Sequence, residues 1–188
     1  VYSLLEAVLL RPLPVRNPEQ LAHIYTSCRA GDVYCSSSYP EFLDYRSQSR
    51  TFADMAVFAP FDVSAAADSG VWISRVLVVS TNYFTLLGVS PHRGRLISPA
   101  DEGAGEAVAV LSHPAWLTRF GGDAGAIGST VRLSGSPFRI VGVAAPDLRG
   151  TPFDTTPEPW VGINNLALLP AGAGGNRLVA RDTRWIPG

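Results

Sequence analysis

The stretch from Ala107 to Val143, AVAVLSHPAWLTRFGGDAGAIGSTVRLSGSPFRIVGV, constrains the fold most, because it reads as a complete strand–helix–hairpin unit. Ala107 to Leu111 is a short apolar run of the kind a buried strand shows. Ser112 stands at the N-cap, where its hydroxyl accepts an unpaired amide of the first turn. Pro114 follows where a missing N–H costs nothing. Trp116, Leu117 and Phe120 give the helix one apolar face, and Gly121 occupies a position that favours positive φ. Val131 and Leu133 alternate with Arg132; Ser134-Gly135 makes a tight turn; Phe138, Ile140 and Val141 answer from a second strand. The unit supplies caps, a turn and apolar faces, and no reactive group.

The flanking sequence adds elements of the same kind. Leu21 to Ser27 reads as a strand. Ser38-Tyr39-Pro40-Glu41 is a capping box, opening a helix with Tyr39, Phe42, Leu43 and Arg46 along one side. Met55–Val63 and Val71–Ser80 predict a long antiparallel hairpin, with turn chemistry at Asp68-Ser69-Gly70. Ser80 or Thr81 caps a short helix bearing Tyr83, Phe84 and Leu87, closed by Gly88 and stopped by Pro91. Strand, helix, strand, strand, helix is the order of a split β-α-β, ferredoxin-like sandwich. The loop Pro99–Gly105 marks a subdomain boundary. Beyond Val143, four prolines from Pro146 to Pro159, with Gly150, forbid long elements, Trp160–Ile163 makes one short strand, and Ala171–Gly175 is a link. The ending at Trp185–Gly188 has no capped element and reads as truncated. The predicted core centres on Phe42, Leu43, Phe84, Leu87, Trp116, Phe120, Leu133 and Ile140.

Hydrophobic residues are 46% of the 188 and charged residues 16%, which argues for a folded α+β chain over a disordered one. A net charge of −1 gives no long-range pull toward nucleic acid. All 15 basic residues are Arg, which removes a phosphate-loop lysine, a Schiff-base lysine and a Ser-Lys pair together. No run reaches the roughly 18 apolar residues that a bilayer span needs. Val1–Leu10 is either an ordinary helix or the stub of a membrane helix. Cys28 and Cys35 flank a turn-like stretch and form either a disulfide, worth roughly 2–3 kcal/mol, or two free thiols. His23, His92 and His113 are far apart with no metal-ligand spacing. Ser112-His113 is the wrong geometry for a nucleophile–base couple and lies in no G-x-S-x-G elbow. Asp101, Glu102 and Glu106 read as a solvated acidic loop rather than paired catalytic carboxylates. No catalytic, cofactor-binding or metal-binding residue is predicted.

An ordered set of short motifs resembles the MacB-like periplasmic core domain of MacB/FtsX-type ABC transporter permeases. The pieces are Ala7–Pro14 (AVLLRPLP), Ser38–Arg46, Ser49–Phe52, Ser80–Gly88 (STNYFTLLG), Gly94-Arg95 and Val110–His113 with Trp116. Arg119–Asp123 (RFGGD), Ile127-Gly128, Leu133 with Gly135, and Ile140–Val143 (IVGV) complete it. The resemblance implies an α+β domain between the first two transmembrane helices, with a porter-like split β-α-β lobe and an inserted, smaller, mainly β lobe. On that pattern 1–14 is the end of a membrane helix with its exit linker. Residues 15–98 begin the porter-like lobe, 99–157 are the inserted lobe, and 158–188 return to the first. The Cys28/Cys35 pair is not part of that pattern. The resemblance further implies a non-catalytic relay without cofactors, in an inner-membrane transport or efflux protein, facing the periplasm. The implied partners are a cytoplasmic ABC ATPase, a second permease copy or paralogue, and a periplasmic adaptor or outer-membrane duct. The alternative is a free-standing periplasmic ligand-binding or hydrolase domain.

Overall fold

The structure, a computed structural model, describes residues 15–24, 37–103, 105–148, 156–169, 178–181 and 186. Cys28 and Cys35 lie outside them, as do 1–14 and residues 25–27 of the strand expected at Leu21–Ser27. Residues 21–24 form no strand; Leu21 packs against the core while Ile24 is half exposed.

Among the described residues, seven strands form one sheet. They are β1 (Phe58–Ala67), β2 (Gly70–Val79), β3 (Pro91–Gly94), β4 (Val108–Leu111), β5 (Thr130–Leu133), β6 (Ser136–Ala144) and β7 (Pro159–Gly162). The order is β3-β6-β4-β7-β2-β1-β5, and β5 also pairs with β6, so the sheet curls until its far edge meets β6 again. The pairing of β1 with β2 spans Phe58↔Val79 to Ala67↔Gly70, the expected hairpin. In the β5–β6 turn both Ser134 (φ 50°) and Gly135 (φ 83°) are left-handed, as a type I′ turn requires. The expected short strand at Trp160 is β7, parallel to β2 and antiparallel to β4.

The described strands do not by themselves show the ferredoxin-like split β-α-β arrangement expected for 15–98 with 158–188. Instead the hydrogen bonds cross the expected boundary at 98/99: β7 lies between β2 and β4, and β5 joins β1 to β6. The cause is in the side chains. The central strands are apolar on both faces, with Val76, Val78, Ala109, Leu111 and Val161 in one cluster. Leu77, Val79, Val108, Val110 and Trp160 lie in the other. Strands apolar on both faces need cover on both.

Among the described residues, three α-helices help supply it. α1 (Tyr39–Gln48) starts at the predicted capping box: Ser38 Oγ accepts from Glu41 N–H (3.3 Å), and Glu41 accepts from Ser38 N–H (2.9 Å). α2 (Tyr83–Leu87) ends at left-handed Gly88 (φ 65°), and its Phe84 meets Trp160 edge-on at 5.8 Å, a contact worth about 0.5–1.5 kcal/mol beyond burial. Its N-cap is Asn82, not Ser80 or Thr81. Pro91 does more than stop this helix; it opens edge strand β3. α3 (His113–Phe120) has the predicted Ser112 cap, accepting from Ala115 N–H, and ends at left-handed Gly121.

Of the residues expected in the core, Phe42, Phe84, Leu87, Trp116, Leu133 and Ile140 are buried, and Phe120 packs partly buried on the first cluster. Two apolar-face assignments need correction. Leu43 is 42% exposed and Leu117 is 49% exposed. Each follows its buried neighbour, Phe42 or Trp116, by one residue, and a helix turns consecutive side chains onto different faces. Phe120, four residues after Trp116, shares its side.

Strand β6 has both edges in use. At Arg139 it pairs with β4 on one edge and β5 on the other, and further along β3 takes over from β5. β3 comes so close that a Cβ on Gly142 would overlap the Arg95 carbonyl oxygen and crowd that of Arg93. Gly142 has no left-handed φ, so the requirement is one of space alone. Gly142→Ala should therefore cost about 1–3 kcal/mol, read as a lower denaturation midpoint in urea. An unchanged midpoint would show that β3 can move away without loss.

Candidate functional site

The polar side chains of this domain act mainly as ties between loops and sheet. The motif Ser80-Thr81-Asn82 is the first. Ser80 Oγ accepts from Val57 N–H (3.0 Å), and Thr81 Oγ1 donates to Glu102 (3.3 Å). Asn82 donates to Asp54 (2.7 Å) and to the Met55 carbonyl (2.9 Å). Burial pushes the Asp54 carboxyl up, but hydrogen bonds from Asn82, Met55 N–H and Arg46 outweigh it and hold it below the usual carboxylate range. These bonds fix the chain on both sides of the β1–β2 hairpin.

Asp101 is the second tie, and it corrects the reading of 101–106 as a solvated acidic loop. Asp101 is 5% exposed. It accepts a two-pronged pair from Arg95 (2.7 and 2.9 Å) and a bond from Ser98 N–H (2.9 Å), while its carbonyl accepts from Asn164 (3.2 Å). It thus joins the segment after β3 to the one after β7. Burial raises its carboxyl, and the bonds from Arg95 and Ser98 more than reverse that, leaving it below the ordinary value. Glu106 is exposed and pairs with Arg139 (3.4 Å). The Ser98-x-x-Asp101 spacing is itself a capping signature and was the available signal for this tie.

Glu158 is the third. It accepts from Arg119 (2.9 and 3.2 Å) and from the Trp72 indole N–H, and the Arg119 guanidinium lies 5.0 Å over the Trp72 ring. Three elements meet there: β2, α3 and the approach to β7. A fourth contact returns the chain's last described residues to α1, through the Ser37–Ile186 bridge and an Arg181–Asp44 ion pair at 2.6 Å.

The histidines fall differently from the sequence expectation. His23 packs against Phe58 with ring centroids 5.4 Å apart and planes tilted by 39°, and burial lowers its imidazole below the ordinary value. His92 and His113, 21 positions apart in sequence, lie with ring centroids 4.9 Å apart, both against Trp116. No spacing rule could show this, because it depends on a bulge in β3. Ser112 is occupied as a helix cap. Among the described residues no three His, Cys, Asp or Glu side chains form a metal-holding group, and no helix is long and apolar enough to cross a membrane.

The family model for the MacB-like periplasmic core domain matches residues 11–185. The chain belongs to that family. Its fold is similar to the periplasmic region of MacB from Actinobacillus actinomycetemcomitans, with 16% identity and a TM-score of 0.58, covering 73% of this chain and 60% of that one. It is also similar to the extracellular domain of the noncanonic ABC-type transporter YknZ from Gram-positive bacteria, with 17% identity and a TM-score of 0.59, covering 75% of this chain and 68% of that one. The chain thus aligns with about three-fifths of the MacB region. No curated protein matches it.

Asp101 gives a pH-dependent test. A carboxyl held low in the folded state adds stability above its unfolded value, near pH 4, and loses it as pH falls through the lower folded value. Asp101→Asn should cost about 1.5–3 kcal/mol at neutral pH, and the gap to the parent chain should close below about pH 4. Urea melts at several pH values check this; a gap independent of pH would show that the carboxylate charge plays no part.

Proposed function

We propose that this chain is the extracytoplasmic domain of an ABC transporter permease. It passes ATP-driven movement of the membrane helices to a substrate or partner protein. The family match over residues 11–185 carries this reading. The sheet supports it physically: a push travels through a part that is hydrogen-bonded throughout and is absorbed by one that is not. Strands β2, β7, β4 and β6 form such a path, and the Asp101 and Glu158 ties brace its ends.

In this reading the domain has no catalytic residue and no cofactor. ATP is hydrolysed on a cytoplasmic ATPase subunit or domain, and the working unit contains a second permease copy or paralogue. A periplasmic adaptor or an outer-membrane duct is the further partner. Residues 15–98 with 158–188 form a porter-like lobe and 99–157 an inserted one. The Ser37–Ile186 bridge favours 158–188 as the returning segment.

The test is reconstitution of the full-length permease with its ATPase in vesicles. ATP hydrolysis should persist when residues 11–185 are replaced by a Gly/Ser linker, while transport or partner activation falls at least tenfold. Hydrolysis of ATP by the purified domain alone, or full transport after the replacement, would overturn the proposal.

A further inference from the structure

We propose that His92 and His113 form an open, two-imidazole site for a divalent transition-metal ion, taking Cu²⁺ most tightly and Zn²⁺ or Ni²⁺ less so. The inference rests on geometry alone and is independent of the relay reading. Both rings sit on fixed backbone. His113 is the first residue of α3, between its Ser112 cap and Pro114. His92 is the extra residue where β3 pairs Pro91 with Ala144 and then Arg93 with Val143. A bulge of this kind re-aims a side chain; here it brings His92 and Arg93 both to Trp116. The close approach of β3 at Gly94 and Gly142 prevents the strand from drifting.

The ring spacing fits chelation. An ion about 2.0–2.1 Å from an imidazole nitrogen lies about 3.2 Å from that ring's centroid, so two ligands at 90–109° put their centroids roughly 4.5–5.2 Å apart. The observed separation is 4.9 Å. The 86° angle between the planes is compatible with this, because ligation requires the ion to lie in each ring's own plane and does not require the two planes to be parallel. His92 is exposed and His113 partly so, which gives an ion a way in. With no third His, Cys, Asp or Glu completing the set among the described residues, water fills the remaining positions. Arg93, with Cζ 5.5 Å from the Trp116 centroid, adds a positive charge that keeps affinity at the level of an open site. A bound ion would clamp edge strand β3 to α3.

Trp116 provides the readout, because both imidazole centroids lie 5.5 Å from its ring. Titration of the full chain with Cu²⁺ should quench tryptophan fluorescence with one ion bound per chain, and the paramagnetic resonance spectrum should show nitrogen ligation. His92→Ala and His113→Ala should each weaken binding at least tenfold, and His23→Ala should leave it unchanged. Trp116→Phe should keep binding by calorimetry while losing most of the quench. His92→Asn, at an exposed position, guards against a loss caused by misfolding and should weaken binding as His92→Ala does. Saturable binding that survives the changes at His92 and His113, or no saturable binding, would overturn the proposal.

Discussion

The architecture depends on strand β6 having both edges occupied. It pairs with β4 on one side and with β5 and then β3 on the other. A strand so enclosed cannot give up a neighbour without exposing backbone amides and carbonyls, each costly to bury unpaired. Two features make this possible. One is the β5–β6 turn, whose two left-handed residues return the chain tightly enough to register Thr130 against Arg139. The other is Gly142, which lets β3 approach where a side chain would collide. Loss of either would open the curl and leave Val131, Leu133, Phe138 and Ile140 without cover.

This explains why the sequence was legible in some places and not in others. The Ser38 box, the Ser112 cap, Gly88, Gly121 and Ser134-Gly135 act through bonds to residues three or four positions away, and all stand where expected. The β1–β2 hairpin is equally local. What could not be read was long-range pairing: β2 takes β7, some eighty residues later, as its second partner, inside the segment expected to return to the first lobe, while β4 and β5 join 99–157 to the same sheet. The apolar runs Val76–Val79 and Val108–Leu111 showed burial on both faces, but not which strand would lie beside them. Leu43 and Leu117 failed for a smaller reason, an apolar residue one position beyond the buried stripe. The ties followed the same division. Asp101 stood in a capping spacing, whereas the Arg119–Glu158–Trp72 cluster and the His92–His113 contact had no sequence signal at all.

Family and geometry meet in one mechanical idea. The reactive-looking residues turn out to be committed: Ser112 to a cap, Asp101 to Arg95, and Glu158 to Arg119 and Trp72. Spent in this way, polar groups make loops stiff at the cost of chemistry. The relay proposed above needs stiffness, and braces of this kind supply it.

The central claim is that the domain moves as one stiff body when the transporter turns over. Spin labels at Ser69, in the β1–β2 turn, and Gln48, exposed at the end of α1, report distance within one domain; one label at Ser69 in each of two copies reports distance between domains. In the reconstituted transporter, cycling between ATP-bound and ADP-bound states should shift the distance between domains and leave the one within a domain unchanged. A change within the domain as large as that between domains, or no change between domains, would contradict the account.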